Sequence, residues 1–197
     1  MDLPAILAMP DGISKTAALV AWVQGLFESG TKPILVGGAA VELYTGGAYT
    51  TGDLDLVGTA GPSAARALSQ AGFHRQGRHW IHEEGQVFLE FPSSALHEGE
   101  RAVRLVVDSH DVLVVSPEDL IAERLAAWQH WRSAIDGVNA WLVYWARRGS
   151  IDRRRLRQQA GIRKAEAALL TLSQLARRAS RRQPTPEEIE RWARLGV

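Results

Sequence analysis

The 197-residue sequence contains no cysteine. Disulfide frameworks and thiolate zinc sites are therefore excluded. Long apolar runs are also missing, since no stretch approaches the roughly 18 consecutive apolar residues that a membrane-spanning helix needs. The first residues, MDLPAILAMPDG, carry an acid and two prolines, whereas a signal peptide begins with Lys or Arg and an unbroken apolar stretch. We therefore expect a cytoplasmic protein that has no membrane partner.

Net charge is nearly absent as well, but the formal value of +1 is the sum of two unlike parts. Residues 1–144 hold 9 Lys and Arg against 17 Asp and Glu, a net charge of −8. Residues 145–197 hold 14 against 5, a net charge of +9. An acidic body with a basic end suggests a cation site and an anionic partner.

The periodicity of the sequence predicts an α/β fold followed by helices. Short apolar runs bounded by glycine and turn residues indicate the strands of a mixed β-sheet with flanking helices up to about residue 115. From Ser116-Pro117-Glu118 onward the pattern is helical throughout, beginning with a serine cap and a proline in the first turn. We therefore predict an α/β core over 1–115 and an Arg-rich helical bundle over 116–197.

The segment LVGGAAVELYTGGAYTTGDLDLV contains the most informative residues. Asp53 and Asp55 are two apart in a predicted strand, so their carboxylates leave the same face of the sheet. Two adjacent carboxylates repel each other unless a cation lies between them. A hard divalent cation such as Mg²⁺, or Mn²⁺, prefers oxygen ligands of this kind. The pair is therefore a candidate metal site.

Gly37 and Gly38 stand at the end of the preceding predicted strand and the start of a helix. Glycines there allow backbone amides to approach an anion closely, and the helix N-terminus adds its dipole. An anion cradle beside a metal-binding acid pair predicts a triphosphate site, which would bind an NTP.

These residues resemble the polymerase-β-like nucleotidyltransferase superfamily, and within it the small bacterial nucleotidyltransferases of the AbiE-toxin type and their uncharacterised relatives. The likeness covers residues 32–136 and rests on the strand, the Gly-Gly pair, the short helix and the Asp-x-Asp strand. Thr51 matches a threonine common in that family, and Glu90, in VFLEFP, matches its third carboxylate. Arg124 stands where the family often has a basic residue, usually Lys.

The resemblance implies a nucleotidyltransferase-type sheet and a metal-dependent transfer of a nucleoside monophosphate from an NTP to an RNA, such as a tRNA, or to a protein. It implies metal ligation and catalysis by Asp53, Asp55 and Glu90, with Glu90 able to take the proton. Nucleotide and phosphate binding would fall to the residues Gly37, Gly38, Thr51 and Arg124. It also implies a toxin of a toxin–antitoxin pair, with an antitoxin protein as partner.

Two positions depart from the family pattern and keep an alternative open. The family often has an arginine four residues before the first aspartate, where this chain has Tyr49, and Arg124 replaces the usual lysine. Both departures concern triphosphate handling, since arginine and lysine differ in shape and donor geometry. The alternative is a catalytically degenerate nucleotidyltransferase fold that acts as a nucleotide- or RNA-binding module or as a protein-interaction module.

The candidate site residues also have structural explanations. The two aspartates could be solvated acids at a strand end, although the adjacent Gly-Gly pair favours a site. Glu90 is the only charge in an apolar strand and could instead pair with an arginine such as Arg104. Arg124 could be an ordinary bundle residue.

The predicted helical region, residues 116–197, contains two arginine clusters and several tryptophans. The clusters are a candidate surface for an RNA backbone or for an acidic protein such as an antitoxin. The tryptophans at 128, 131, 141 and 145 recur at helical spacing and predict a bundle core. The arginines concerned are Arg153, Arg154, Arg155, Arg157, Arg177, Arg178, Arg181 and Arg182.

Overall fold

The structure is a computed structural model that describes residues 2–179 and 184–196. The chain divides into two compact units, Met1–Ser116 and Pro117–Val197. The first contains a seven-stranded mixed β-sheet with helices, and the second is helical in its described part. The predicted fold class is therefore confirmed. Within the described residues, no helix combines the length and the apolarity that crossing a bilayer requires.

The sheet of the N-terminal unit has the strand order β3-β4-β5-β2-β1-β7-β6. Strand β2 lies at its centre, antiparallel to β1 and parallel to β5. Strands β1 and β7 are also parallel, so the sheet mixes both pairings. The strands are β1 (Ile34–Val36), β2 (Asp53–Val57), β3 (His74–Gln76), β4 (His79–His82), β5 (Val87–Glu90), β6 (Ala102–Val107) and β7 (His110–Val115).

Alternation along the central strands separates a buried face from a polar one. Leu54 and Leu56 of β2 are buried, as are Leu35 of β1 and Leu89 of β5. Successive side chains in a strand point to opposite faces, so the acids that alternate with these leucines leave the other face. Burial of the leucines thus determines the direction of the acids.

Four helices belong to the described part of the N-terminal unit; α3 packs against the central strands β1 and β2, and α2 packs against β6 and β7 at one edge of the sheet. The sequence pattern did not predict the short first helix, in which the Asp2 side chain accepts a hydrogen bond from the Ala5 amide. Such a cap stabilises a helix start by about 1 kcal/mol. The helices are α1 (Leu3–Leu7), α2 (Ile13–Gly25), α3 (Gly37–Thr45) and α4 (Pro62–Gln70).

The described part of the C-terminal unit consists of five helices. The predicted capping box at the start of the last helix is confirmed, since Thr185 accepts from the Glu188 amide and the Glu188 side chain accepts from the Thr185 amide. Asp152 caps α7 in a related way. The helices are α5 (Pro117–Trp131), α6 (Ala134–Arg147), α7 (Arg153–Ile162), α8 (Glu166–Ala179) and α9 (Pro186–Leu195).

Two of the four tryptophans predicted for the bundle core lie fully buried there. Trp128 and Trp141 are each about 1% exposed, and the Trp128 indole N–H donates to the Ala193 carbonyl at 2.7 Å. Trp145 is half-buried and stacks on Trp141. The prediction is wrong for Trp131, which is 81% exposed. Trp131 is the last residue of α5, so no following turn of that helix shields its ring.

A buried ion pair joins α5 and α7 within the C-terminal unit. The Arg155 guanidinium donates to both carboxylate oxygens of Asp119, at 2.6 and 2.8 Å. The Asp119 side chain is fully buried, and that of Arg155 is 16% exposed. Removing one partner of such a pair leaves a buried charge without its counter-ion, which is strongly destabilising.

We expect Arg155→Ala to lower the free energy of unfolding by about 3 kcal/mol, because the Asp119 carboxylate stays buried. Arg154→Ala is the matched control, since Arg154 is exposed in the same helical turn. It should change stability by less than about 0.5 kcal/mol. Urea unfolding of both variants measures the difference, and equal effects would contradict a structural role for Arg155.

Candidate functional site

Three predicted acids lie on adjacent strands at one face of the sheet. Asp53 and Asp55 belong to β2, and Asp55 is the register partner of Glu90 on the parallel strand β5. Register partners on neighbouring strands project to the same face. Asp53 is exposed, whereas Asp55 and Glu90 are half-buried. The fold therefore brings the acid pair next to a residue that is 35 positions away in sequence.

The turn from β1 into α3 depends on Gly37. This residue has φ +67°, and a Cβ built on it would lie 2.8 Å from the carboxylate carbon of Asp55. A side chain at this position would thus be strained in its backbone and would collide with Asp55. Because α3 begins at Gly37, the Asp55 carboxylate lies against the positive end of the helix.

Gly38 has a second close neighbour, the side chain of Thr51. A Cβ on Gly38 would lie 3.0 Å from Thr51 Oγ1 and 3.1 Å from its Cβ. Thr51 precedes Asp53 by two residues, so the same contact places the start of β2 against α3. The predicted residues Gly37, Gly38, Thr51, Asp53 and Asp55 are therefore assembled in one place.

Glu90 is held by a cation. Its Oε1 forms an ion pair with Arg78, whose Nε lies 2.8 Å away, and His79 Nδ1 lies 3.9 Å from its Oε2. The alternative that Glu90 pairs with an arginine is thus found, but with Arg78 rather than Arg104. Arg104 pairs instead with Asp111 on the adjacent strand at 2.7 Å.

Sequence reasoning missed Arg78 because its proximity to Glu90 depends on strand register. His79 of β4 is the register partner of Glu90, and Arg78 is the residue before it in the β3–β4 turn. The hairpin was visible in the sequence, but its pairing with β5 was not. A register derived from alternating burial along both strands could have indicated the contact.

The donor set fits a hard cation in part. Asp53 and Asp55 supply carboxylate oxygens from one face of one strand, which is the ligand chemistry that Mg²⁺ and Mn²⁺ prefer. Across residues 2–179 and 184–196, no three His, Asp or Glu side chains are grouped as a metal site. Glu90 is paired with Arg78 instead. The two aspartates thus form a candidate cation site that Glu90 could join only after leaving Arg78.

Arg124 lies in the C-terminal unit, on α5, and is engaged by acids there. Its Nη1 donates to Asp136 Oδ1 at 2.7 Å, and its Nε lies 3.3 Å from Glu123 Oε2. The side chains of Arg124 and Asp136 are 16% and 15% exposed. These contacts are those of a bundle ion pair, and nucleotide binding by Arg124 stays a prediction.

The described arginines of the two clusters differ in exposure. Arg155 belongs to the buried pair with Asp119 described above. Arg181 and Arg182 lie outside the described residues. The exposed arginines are Arg153, Arg154, Arg157, Arg177 and Arg178.

Glu42 of α3 is a buried carboxyl that sequence reasoning did not single out. It is about 2% exposed and accepts a hydrogen bond from the Thr16 hydroxyl at 3.0 Å. Burial raises its pKa, and the Thr16 hydroxyl and the Thr51 backbone offset part of the increase. Glu42 thus links α2 to the segment that carries Thr51. The sequence signal that could have identified Glu42 is an acid on the apolar side of a predicted helix.

Comparison with known proteins supports the fold. The structure is similar to the crystal structure of an antigenic nucleotidyltransferase-like protein from Paracoccidioides brasiliensis, with a TM-score of 0.58 and 17% sequence identity. The match covers 87% of this chain and 93% of that chain. No family model matches the sequence, and no curated protein matches it either. The chain therefore has a nucleotidyltransferase-like fold.

We expect Gly37→Ala to destabilise the protein by about 3 kcal/mol, because it combines left-handed backbone strain with a collision against Asp55. Gly46→Ala is the matched control, since Gly46 also has φ +67° but a Cβ there would meet no atom within 4 Å. It should cost about 1 kcal/mol. Thermal and urea unfolding measure both values. Equal losses would show that the Asp55 contact contributes nothing.

We expect Glu42→Gln to stabilise the protein increasingly as the pH rises. A raised folded-state pKa means that the wild type is most stable below the usual carboxyl range and loses stability as the pH increases through the folded-state pKa. Glutamine keeps an acceptor for Thr16 and removes the ionisation. Urea unfolding across pH 4.5 to pH 8 should therefore show a growing difference between the two proteins.

Glu84→Gln is the control for that measurement, since Glu84 is exposed. Its difference from the wild type should stay constant across the same pH range. A constant difference for Glu42→Gln as well would contradict the raised pKa.

Proposed function

We propose that the protein is a metal-dependent nucleotidyltransferase that moves a nucleoside monophosphate from an NTP to an acceptor hydroxyl. The carrying observation is the placement of Asp53 and Asp55 on one strand face, with Asp55 against Gly37 and beside Glu90. Glycines at a helix start allow backbone amides to approach an anion closely. The carboxylate that lies against them provides a cation site beside that anion. The nucleotidyltransferase-like fold supports the same conclusion.

In this proposal the residues have separate tasks. Asp53 and Asp55 would hold Mg²⁺ or Mn²⁺, which would neutralise charge on the triphosphate and activate the attacking hydroxyl. The backbone amides of Gly37 and Gly38 receive the β- and γ-phosphates at the start of α3. Thr51 holds the beginning of β2 against Gly38 and thereby orients Asp53.

The transfer itself is an in-line displacement at the α-phosphorus. The acceptor oxygen forms a bond to that phosphorus, the bond to the bridging oxygen of the β-phosphate breaks, and pyrophosphate leaves with the electron pair. The hydroxyl proton passes to the Glu90 carboxylate, once Glu90 is free of Arg78, and from there to solvent. Positioning and charge neutralisation supply most of the rate enhancement in such chemistry.

The proposed acceptor is an RNA, such as a tRNA, or a protein, and the proposed biological role is that of a toxin with an antitoxin partner. The exposed arginines of α7 and α8 support an anionic partner, since guanidinium groups bind phosphates and carboxylates in bidentate fashion. Growth arrest on expression that depends on Asp53, and its relief by the product of a neighbouring gene, would test this role.

A second candidate is a nucleotide- or RNA-binding module without catalysis. The observation that favours it is the ion pair of Glu90 with Arg78, which occupies the third carboxylate, together with Tyr49 at the position where the family often has arginine. This candidate requires NTP or RNA binding that survives Asp53→Asn and releases no pyrophosphate.

We expect the wild type to transfer label from at least one α-labelled NTP to total RNA or to lysate protein when Mg²⁺ is present. Asp53→Asn and Asp55→Asn should each lower the rate by roughly 100-fold or more, because a lost metal ligand costs several kcal/mol of transition-state stabilisation. Asp111→Asn is the matched control and should retain activity, since Asp111 pairs with Arg104 on β6.

The two candidates differ in the pattern of results. Transfer that disappears with either aspartate supports the enzyme. NTP binding by calorimetry that is unchanged in Asp53→Asn, without transfer to any acceptor fraction, supports the binding module. Transfer that persists in both aspartate variants contradicts the assigned site.

A further inference from the structure

A small cleft opens where the parallel strands β2 and β5 end. It has a volume of about 310 Å³ and is bordered by the segments that directly follow the two strands, residues 58–60 and 91–94. Two arginines, Arg75 and Arg78, and the hydroxyl residues Thr59, Ser93 and Ser94 line it, and no acidic residue does. A cleft with two guanidinium groups, several hydroxyls and no carboxylate is suited to an anion.

Arg75 has no acidic partner among the described residues. Its Nε donates to the backbone carbonyl of Gly77 at 2.9 Å, which orients the guanidinium and leaves its two terminal nitrogens for another acceptor. Arg75 is the register partner of the buried Trp80, which also borders the cleft. Other arginines on the sheet are paired, as Arg104 is with Asp111.

Arg78 belongs to the cleft and to the candidate catalytic site at once. It lies in the turn between β3 and β4, borders the cleft, and forms an ion pair with Glu90, whose Oε1 lies 2.8 Å from its Nε. Its side chain is 63% exposed, so it can change rotamer without disturbing the core. A single exposed arginine thus connects an anion cleft to a candidate metal ligand.

We propose that this cleft binds a phosphate group between Arg75 and Arg78, and that Arg78 exchanges the Glu90 carboxylate for it. The guanidinium fork binds phosphate in bidentate geometry, and phosphate carries more charge than a carboxylate. The cleft is large enough for an anion of the size of pyrophosphate. The phosphate comes from an NTP or from the backbone or end of an RNA acceptor.

The exchange has a consequence for the neighbouring site, and this part rests on the proposed function. When Arg78 turns to the phosphate, Glu90 loses its counter-ion beside its register partner Asp55. Without that counter-ion, the negative charge of Glu90 strengthens the binding of a divalent cation to Asp53 and Asp55. Phosphate in the cleft and metal at the aspartates therefore bind with positive coupling, which is reciprocal by linkage.

Titration with inorganic pyrophosphate in the presence of EDTA, by calorimetry on the full chain, tests the cleft without a contribution from bound metal, and the arginine variants assign the binding to the cleft. Arg75→Ala and Arg78→Ala should each weaken binding by about 10-fold or more, as expected for loss of a charged hydrogen-bond donor. Arg104→Ala, which removes the same charge from β6, should leave the affinity within about twofold. Failure of the wild type to bind pyrophosphate, or equal losses of affinity in all three variants, would overturn the proposal that the cleft binds phosphate.

Titration with Mn²⁺, without nucleotide, tests the exchange. Arg78→Ala should tighten Mn²⁺ binding severalfold, because Glu90 is freed, and adding Glu90→Gln should abolish the gain. Arg75→Ala should leave Mn²⁺ affinity unchanged. A variant that merely unfolds cannot gain affinity, so this sign distinguishes the exchange from loss of structure. Unchanged Mn²⁺ binding in Arg78→Ala would overturn it.

Two further measurements identify the source of the phosphate and distinguish phosphate binding in the cleft from the proposed nucleotidyl transfer. Displacement of pyrophosphate by ATP, or by a short 5′-phosphorylated RNA, identifies which of them occupies the cleft, and displacement by neither would contradict the assignment. Asp53→Asn should keep metal-free pyrophosphate binding even though transfer is lost. Absence of transfer with intact pyrophosphate binding would thus count against the enzyme and leave the cleft supported.

Discussion

The close approach of the Asp55 carboxylate to Gly37 is the constraint on which the rest of the N-terminal unit depends. It requires a residue without a side chain at a left-handed position, immediately where β1 becomes α3. The same turn brings Thr51 against Gly38 and fixes the start of β2. Helix, turn and central strand thus meet at two close contacts, of which the one at Gly37 requires glycine and the one at Gly38 leaves little room for a side chain. The acid pair is therefore as much a part of the packing as of the proposed chemistry.

Electrostatics around this turn is balanced locally. Asp55 lies against the positive end of α3, and its neighbour across the sheet, Glu90, has Arg78 as its counter-ion. Glu42 lies deeper in the same helix, where burial raises its pKa and favours the protonated form. Several carboxylates can thus lie close together in the acidic N-terminal unit, because the negative charge of each is offset in a different way. Arg78 is the exposed element of this arrangement and the one most easily redirected.

The sequence predicted those parts of the candidate site that depend on residues close together in the chain. Asp53 and Asp55 share a face because side chains alternate along any strand, and Gly37 and Gly38 lie at a helix start because the apolar run before them ends there. The partner of Glu90 could not be predicted in the same way, because it depends on how the β3–β4 hairpin pairs with β5. Arg104 was a reasonable alternative by charge, but it pairs with Asp111, a diagonal neighbour two residues from its register partner Leu113 on β7. The exposure of Trp131 depends similarly on where α5 ends.

The sequence by itself determined the α/β core, the helical C-terminal unit and the acid pair beside two glycines, since hydrophobic periodicity and turn residues act over a few positions. Only the tertiary structure decided that Asp55 and Glu90 are neighbours, that Arg78 holds Glu90, and that Arg155 is buried against Asp119 whereas Arg154 is exposed. These contacts join residues that are far apart in the chain. Their geometry follows from strand register and helix packing, which a single sequence specifies only through the complete fold.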